Sequence, residues 1–124
     1  EGNLTGKYLA GKKAPAGSRA TDKKSGANMI SRWMRDEVLE GVQKLAPIAQ
    51  SVGLSMAQLA IAWVLQNKNV SSAIIGASKA KQVKENVKAA GVKLEPSVMN
   101  AIDDAIGGLA ERDPAKGKSP EKRP

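Results

Sequence analysis

The sequence contains no cysteine, no histidine and no phenylalanine. The absence of cysteine excludes disulfides and thiolate metal sites, and the absence of histidine removes the commonest general base and metal ligand. Aromatic residues make up only 2% of the chain, which leaves few rings to stack on nucleic-acid bases. We therefore expect no metal site and no histidine-based catalytic centre within this sequence.

The sequence also has no apolar run that approaches the length of a membrane span. Its first residues, Glu1-Gly2-Asn3, do not read as a signal peptide. With 124 residues, 41% of them hydrophobic, the chain has room for one domain and little more. The expectation from these features is a cytoplasmic protein with no membrane partner.

The net charge of +8 raises the question of a nucleic-acid partner, because phosphates attract lysine and arginine. The basic residues are scattered along the chain, however, without an arginine-rich helix or interleaved aromatic residues. We interpret the charge as solvated surface and do not expect nucleic-acid binding.

Composition divides the chain into three segments. Residues 1–30 are predicted to be a loop, because glycines and Pro15 interrupt every periodic run. Residues 31–109 contain the periodic segments, and residues 110–124 form a basic, proline-containing tail that we expect to be extended or disordered.

The middle segment predicts four helices. The first has Asp36 as its N-cap and runs to about Val52, with Gly53 as its stop. Pro47 lies inside this pattern, where it costs about 3 kcal/mol in a helix interior, so we expect a kink or two shorter helices.

The other three helices carry their own start signals. Ser55 and Gln58 form a capping-box pattern that opens a helix over 56–66, which is apolar almost all round and must be covered on more than one face. A third helix is predicted over 79–89. The fourth has Pro96 at its favoured first position and ends near Ile106.

A single strand candidate, residues 73–77, lies between the second and third helices. It has no alternating polar face, which is typical of a buried strand in a parallel sheet. One strand cannot form a sheet, because its backbone groups would be left unpaired. We therefore predict an α/β fold that is incomplete within this chain, mostly helix with one buried strand.

The third helix has two different faces. The first carries apolar residues at core spacing and is predicted to be buried; its members are Ala80, Val83, Val87 and Ala90. The second carries hydrogen-bonding side chains in single file over about 12 Å of the helix axis. Its members are Ser78, Gln82, Glu85 and Asn86. Such a row suits a long polar ligand.

The start of the same helix suits a phosphate group. Gly76 allows a ligand close to the backbone, Ser78 adds a hydroxyl, and Lys79 adds a positive charge beside the free N–H groups. Gln82 reaches a phosphate or ribose one turn later. From spacing alone, the simpler interpretation is that Ser78 only caps the helix and the rest is an ordinary solvated face.

Three stretches of the sequence resemble the C-terminal end of an aldo-keto reductase. These are Leu59–Leu65, Val70–Ser78 and Gln82–Asn86. The resemblance is to the branch that contains potassium-channel β subunits and their bacterial relatives. Leu4–Tyr8 and Gly17–Arg19 resemble the cofactor loop of the same family, so the likeness extends from Leu4 to about Ile106.

The resemblance implies a (β/α)₈ TIM barrel that binds NADP(H), of which this chain is the C-terminal portion. Residues 73–77 would be the eighth strand, and residues 79–89 the eighth helix. By motif position, Gly76, Ser78 and Gln82 match residues that hold the 2′-phosphate and its ribose. Glu85 and Asn86 match residues that meet the adenine.

The same resemblance makes residues 1–30 a loop that covers the cofactor. Lys7 and Arg19 match loop residues that fold over the pyrophosphate and adenine side, and a cation beside a 2′-phosphate favours NADP over NAD. Two positions depart from the family pattern: Gly17 stands where some relatives carry tyrosine, and Pro47 interrupts a helix that relatives leave unbroken.

The resemblance also implies what this sequence does not carry. The family's catalytic aspartate, tyrosine, lysine and histidine come from the first half of the barrel, which nothing here matches. Tyr8 lies in the cofactor loop and is not a candidate proton donor, so we predict no catalytic residue. The complete protein would reduce an aldehyde or ketone with NADPH and would need the rest of the barrel. The alternatives are a noncatalytic helical fragment that binds nucleotides or protein, and a basic nucleic-acid-binding domain.

Overall fold

The computed structural model describes residues 2–24 and 26–110, together with Asp113 and Lys116. Every regular element in this part of the chain is helical. The α-helices are α1 (Gly26–Ile30), α2 (Asp36–Gln43), α3 (Leu45–Ser51), α4 (Met56–Leu65), α5 (Ala80–Asn86) and α6 (Pro96–Ile106). Short 3₁₀ turns lie at Asn3–Thr5, Arg19–Thr21, Ser31–Trp33, Val87–Ala89 and Gly107–Leu109. Most of the predicted tail at 110–124 lies outside the described residues.

The first predicted helix is two helices in the structure, which confirms the second of the two outcomes expected from Pro47. Lys44 separates α2 from α3, and Pro47 lies in the first turn of α3. The N–H groups of a first turn have no acceptor within the helix, so a proline there costs no hydrogen bond. The predicted N-cap is wrong by one residue, because Arg35 caps α2 and Asp36 is its first helical residue. The Asp36 carboxylate instead accepts a hydrogen bond from the Gly11 N–H at 3.3 Å.

The joint between α3 and α4 follows its sequence signals closely. Gly53 has a φ of +67°, and its N–H donates to the Gln50 carbonyl at 3.1 Å while the Leu54 N–H donates to the Ala49 carbonyl at 2.9 Å. This pair of bonds is a Schellman motif, which confirms Gly53 as the stop. The capping box that opens α4 is also present between Ser55 and Gln58.

The main core lies where α3, α4 and α6 meet. Its buried members are Leu45, Ala49, Leu59, Ala62, Leu94, Ile102 and Ile106. Leu59 and Ala62 lie on the same side of α4, whereas Ile61 and Val64 are only half-buried. The described elements therefore cover one side of this apolar helix, although its composition predicts that more than one face is covered.

A second, smaller core holds the N-terminal segment against α1 and α2. Tyr8 is 1% exposed and clusters with Ile30 and Leu39. Its hydroxyl accepts from the Ala20 N–H at 3.4 Å, and the Asn3 side-chain amide donates to the Trp33 carbonyl at 3.1 Å. These contacts give residues 2–24 a defined path although they contain only two 3₁₀ turns.

The predicted buried strand at residues 73–77 is not confirmed. These residues form no strand, and Ile74 is fully exposed at 100%. The physical reason is that a single strand leaves its backbone groups unpaired. Within the described residues no second strand is present to pair with residues 73–77. The described part of the chain is therefore helical, and the strand of the predicted α/β fold is not confirmed.

The predicted buried face of the third helix is wrong in this structure. Val83 is 47% exposed and Val87 is 57% exposed, and Ala80 and Ala90 are also exposed. The side of α5 that meets α4 is instead the one with Glu85, which a side chain of α4 contacts. The apolar face of α5 is therefore about half exposed or more at Val83 and Val87.

Within the described residues, no single helix is long and apolar enough to cross a membrane. The segments Asp36–Ser51 and Met56–Leu65 meet that criterion only together, and they are bent by 91°.

The positive φ of Gly53 makes its replacement costly. Gly53→Ala is expected to lower the free energy of unfolding by about 1–2 kcal/mol, because an L-residue is strained in the left-handed region. Gly108→Ala is the matched control, since a Cβ has open space at both positions and only Gly53 has a positive φ. The control should leave stability unchanged or raise it by up to about 1 kcal/mol. Urea unfolding followed by circular dichroism measures both, and equal losses would contradict the Schellman assignment.

Candidate nucleotide-binding site

Hydrogen-bond donors converge on one oxygen at the start of α5. The Oε1 atom of Gln82 accepts from the Ser78 N–H at 2.7 Å, from the Ser78 hydroxyl at 3.2 Å and from the Lys79 N–H at 3.1 Å. Sequence spacing had placed these three residues together, and the structure brings them within hydrogen-bonding distance. The cluster presents a hydroxyl and two backbone N–H groups to a single acceptor.

Ser78 does not cap α5, so the simpler interpretation of this residue is not supported. The N-cap is Lys79, with extended backbone angles, and Ser78 precedes it outside the helix. The Ser78 hydroxyl donates to a side-chain carbonyl oxygen instead of accepting from the helix backbone. Gly76, just upstream, has open space where a Cβ would lie, so its backbone is accessible to a ligand.

Glu85 and Asn86 lie at the other end of α5, and both are half-buried. The Glu85 carboxylate pairs with Lys88 across 2.9 Å, through an exposed ion pair. Its second oxygen lies 3.5 Å from the side-chain nitrogen of Gln58. Asn86 lines the edge of an apolar groove.

Gln58 was not among the residues predicted for the site. Its Nε2 donates to the Glu85 carbonyl at 2.9 Å, which joins the start of α4 to the end of α5. The sequence signal for Gln58 was its place in the capping box, and that pattern uses only the Oε1 end of the carboxamide. The second bond depends on tertiary packing, which spacing does not reveal.

Lys7 and Arg19 lie on the N-terminal segment. The Lys7 ammonium lies 5.1 Å from the centre of the Tyr8 ring, and Arg19 opens the 3₁₀ turn Arg19–Thr21. Both are exposed, and in the described part of the chain neither side chain forms an ion pair or hydrogen bond with α5.

An open groove of about 810 Å³ reaches Asn86 at the end of α5. Its walls come mainly from the uncovered side of α4 and from the segment 72–76. Residues 2–5 and the end of α6 with the turn after it also line the groove. The lining includes Leu4, Trp33, Ile61, Val64, Ile74 and Asn86. Among the described residues there is no group of three or more acidic, histidine or cysteine side chains that could hold a metal ion.

Comparison with known proteins identifies the family to which the chain is similar. The model of the aldo/keto reductase family matches residues 1–106. A probable voltage-gated potassium channel subunit beta of Oryza sativa subsp. japonica is 43% identical over 113 residues, which are 90% of this chain and 34% of that protein. The corresponding Arabidopsis thaliana protein is 42% identical over 113 residues, with the same coverage of 90% and 34%.

A putative voltage-gated potassium channel subunit beta of Schizosaccharomyces pombe is 41% identical over 108 residues, covering 85% of this chain and 31% of that protein. The chain thus spans about a third of the length of these curated relatives. Its family match nevertheless extends over both the N-terminal segment and the donor cluster on α5. The chain belongs to the aldo/keto reductase family.

Proposed function

We propose that this chain forms the adenosine-phosphate side of an NADP(H) site in an aldo/keto reductase. The complete protein would reduce an aldehyde or ketone. The observation that carries the proposal is the convergence of Ser78 and Lys79 donors on the Gln82 oxygen. By the resemblance, Ser78 and Gln82 match family positions that hold the 2′-phosphate and its ribose.

A phosphate oxygen offers these donors the same kind of acceptor as the Gln82 carboxamide, with a stronger charge. On binding, the 2′-phosphate would take the bonds now made to Gln82 and would release that side chain to reach the ribose. The Lys79 ammonium adds the positive charge that distinguishes a 2′-phosphate from a 2′-hydroxyl. NADP is therefore proposed over NAD.

The adenine is assigned to the far end of α5. The carboxylate of Glu85 accepts from an exocyclic amine, and the carboxamide of Asn86 both donates and accepts at a purine edge. Lys7 and Arg19, which are both exposed, are assigned to the pyrophosphate and adenine side. Their segment would have to close over the nucleotide for both ends of the site to act together.

The hydride chemistry is assigned to the remainder of a barrel. NADPH, when bound, supplies the hydride that reduces the carbonyl carbon. This chain contributes no catalytic residue to the proposal. The groove beside α4 and the fully exposed Ile74 suit the packing of further barrel strands, which would pair with residues 73–77. A cytoplasmic location stays a prediction.

The 2′-phosphate assignment predicts a difference between two nucleotides. Adenosine 2′,5′-bisphosphate should bind the chain about tenfold or more tightly than 5′-AMP, because charge-assisted hydrogen bonds contribute about 1.5–3 kcal/mol each. The measurement is an NMR titration of the ¹⁵N-labelled chain. The amides of Ser78 and Lys79 should shift most, and equal responses to both nucleotides would contradict the assignment.

The charge of Lys79 predicts a second difference. Lys79→Met should weaken adenosine 2′,5′-bisphosphate binding about fivefold, because it removes the cation beside the 2′-phosphate. Lys81→Met is the matched control, since Lys81 is also exposed on α5 but lies outside the donor cluster. Calorimetric titration at two salt concentrations measures both variants. An equal loss in the two would mean that the helix attracts anions only through its overall charge.

A further inference from the structure

Gln58 is the buried polar side chain of the described core, at 7% exposure. Both ends of its carboxamide are used. Oε1 accepts from the Ser55 N–H at 3.0 Å, and Nε2 donates to the Glu85 carbonyl at 2.9 Å. A buried amide with both ends bonded has one preferred orientation, because turning it would leave donors facing donors.

The partner of Gln58 is available because of how α5 ends. After Asn86 the chain tightens into the 3₁₀ turn Val87–Ala89, in which an N–H bonds three residues back instead of four. The last carbonyls of an α-helix lack intrahelical partners, and Gln58 supplies a donor to the Glu85 carbonyl at this point.

The same nitrogen also lies 3.5 Å from Oε2 of the Glu85 carboxylate. The other carboxylate oxygen pairs with Lys88 at 2.9 Å, but both side chains of that pair are substantially exposed. An exposed ion pair orients a carboxylate weakly. Gln58 is therefore a buried group that bonds to the backbone of Glu85 and lies beside its carboxylate.

We propose that Gln58 is a positioning residue for adenine selectivity. It does not touch the nucleotide but holds the Glu85 carboxylate toward the exocyclic amine of the base. This inference rests on the proposed function, in which Glu85 meets the adenine. Adenine offers a donor to that carboxylate, whereas hypoxanthine has an oxo group at the same place and is repelled. Discrimination between the two bases therefore depends on the orientation that Gln58 fixes.

Gln58→Glu separates this role from helix capping. Glutamate still accepts from the Ser55 N–H, since it serves equally well in a capping box. It replaces the Nε2 donor by an oxygen that faces the carbonyl and carboxylate of Glu85, and this repulsion should displace the carboxylate.

Gln66→Glu is the matched control on the same helix. The Gln66 Nε2 donates to the carbonyls of Ala62 at 2.9 Å and Val92 at 3.1 Å, while its Oε1 accepts from the Leu94 N–H at 3.2 Å. The substitution loses the same kind of donor at the far end of α4, away from Glu85.

The experiment compares calorimetric affinities for adenosine and inosine 2′,5′-bisphosphates in the 124-residue chain. The unaltered chain should prefer the adenosine ligand. Gln58→Glu should reduce that preference about tenfold, and Gln66→Glu should leave it unchanged although it also lowers stability.

The outcomes distinguish failure of the proposed function from failure of the role proposed for Gln58. If the unaltered chain binds neither ligand, the proposed function and this inference both fail. If it prefers adenosine and Gln58→Glu retains the preference, only the role of Gln58 fails.

Should Gln58→Glu not fold, Gln58→Met replaces it. Ser55→Ala is then the control, because that variant loses the cap and keeps the bonds between Gln58 and Glu85. Loss of preference in Gln58→Met alone supports the inference, and equal loss in both overturns it.

Discussion

The apolar surface of α4 (Met56–Leu65) exceeds what the rest of the described chain covers, and the other features of the structure follow from this. The elements α3 and α6 bury Leu59 and Ala62 on one side. The opposite side, with Ile61 and Val64, faces an open groove of about 810 Å³. Burying apolar surface stabilises a protein by about 25 cal/mol per Å², so covering this exposed face with further packing partners would be favourable. Under the proposed function those partners are the remaining barrel strands.

The candidate site depends on the same helix through two glutamines. Gln58 bonds to the end of α5, and Gln66 bonds to Val92 and Leu94 at the other end of α4. Together they hold both ends of the segment from Glu85 to Leu94 against α4. Glu85 and Asn86, which the proposed function assigns to the adenine, are thus held against the core. The donor cluster at Ser78 consists of exposed residues.

Local signals predicted local structure, because the bonds that form it lie within a few residues. The Gly53 stop, the Ser55 capping box, the break near Pro47 and the start at Pro96 all needed only neighbouring residues. The strand predicted at 73–77 and the buried face predicted for α5 are not present in the described residues, since no described element pairs with the first or covers the second. Spacing brought Ser78 and Gln82 together correctly but could not reveal the second bond of Gln58, which joins residues 27 apart.

Amide hydrogen exchange at Ile74 and Ile75 tests most directly whether the uncovered surface receives the rest of a barrel. The comparison is between the chain alone and the chain fused to the N-terminal two-thirds of the Oryza sativa relative, of which it matches 34%. In the chain alone these exposed residues should exchange without protection. In the fusion, pairing with a neighbouring strand should slow their exchange by orders of magnitude. Equally fast exchange in a folded fusion would contradict the account.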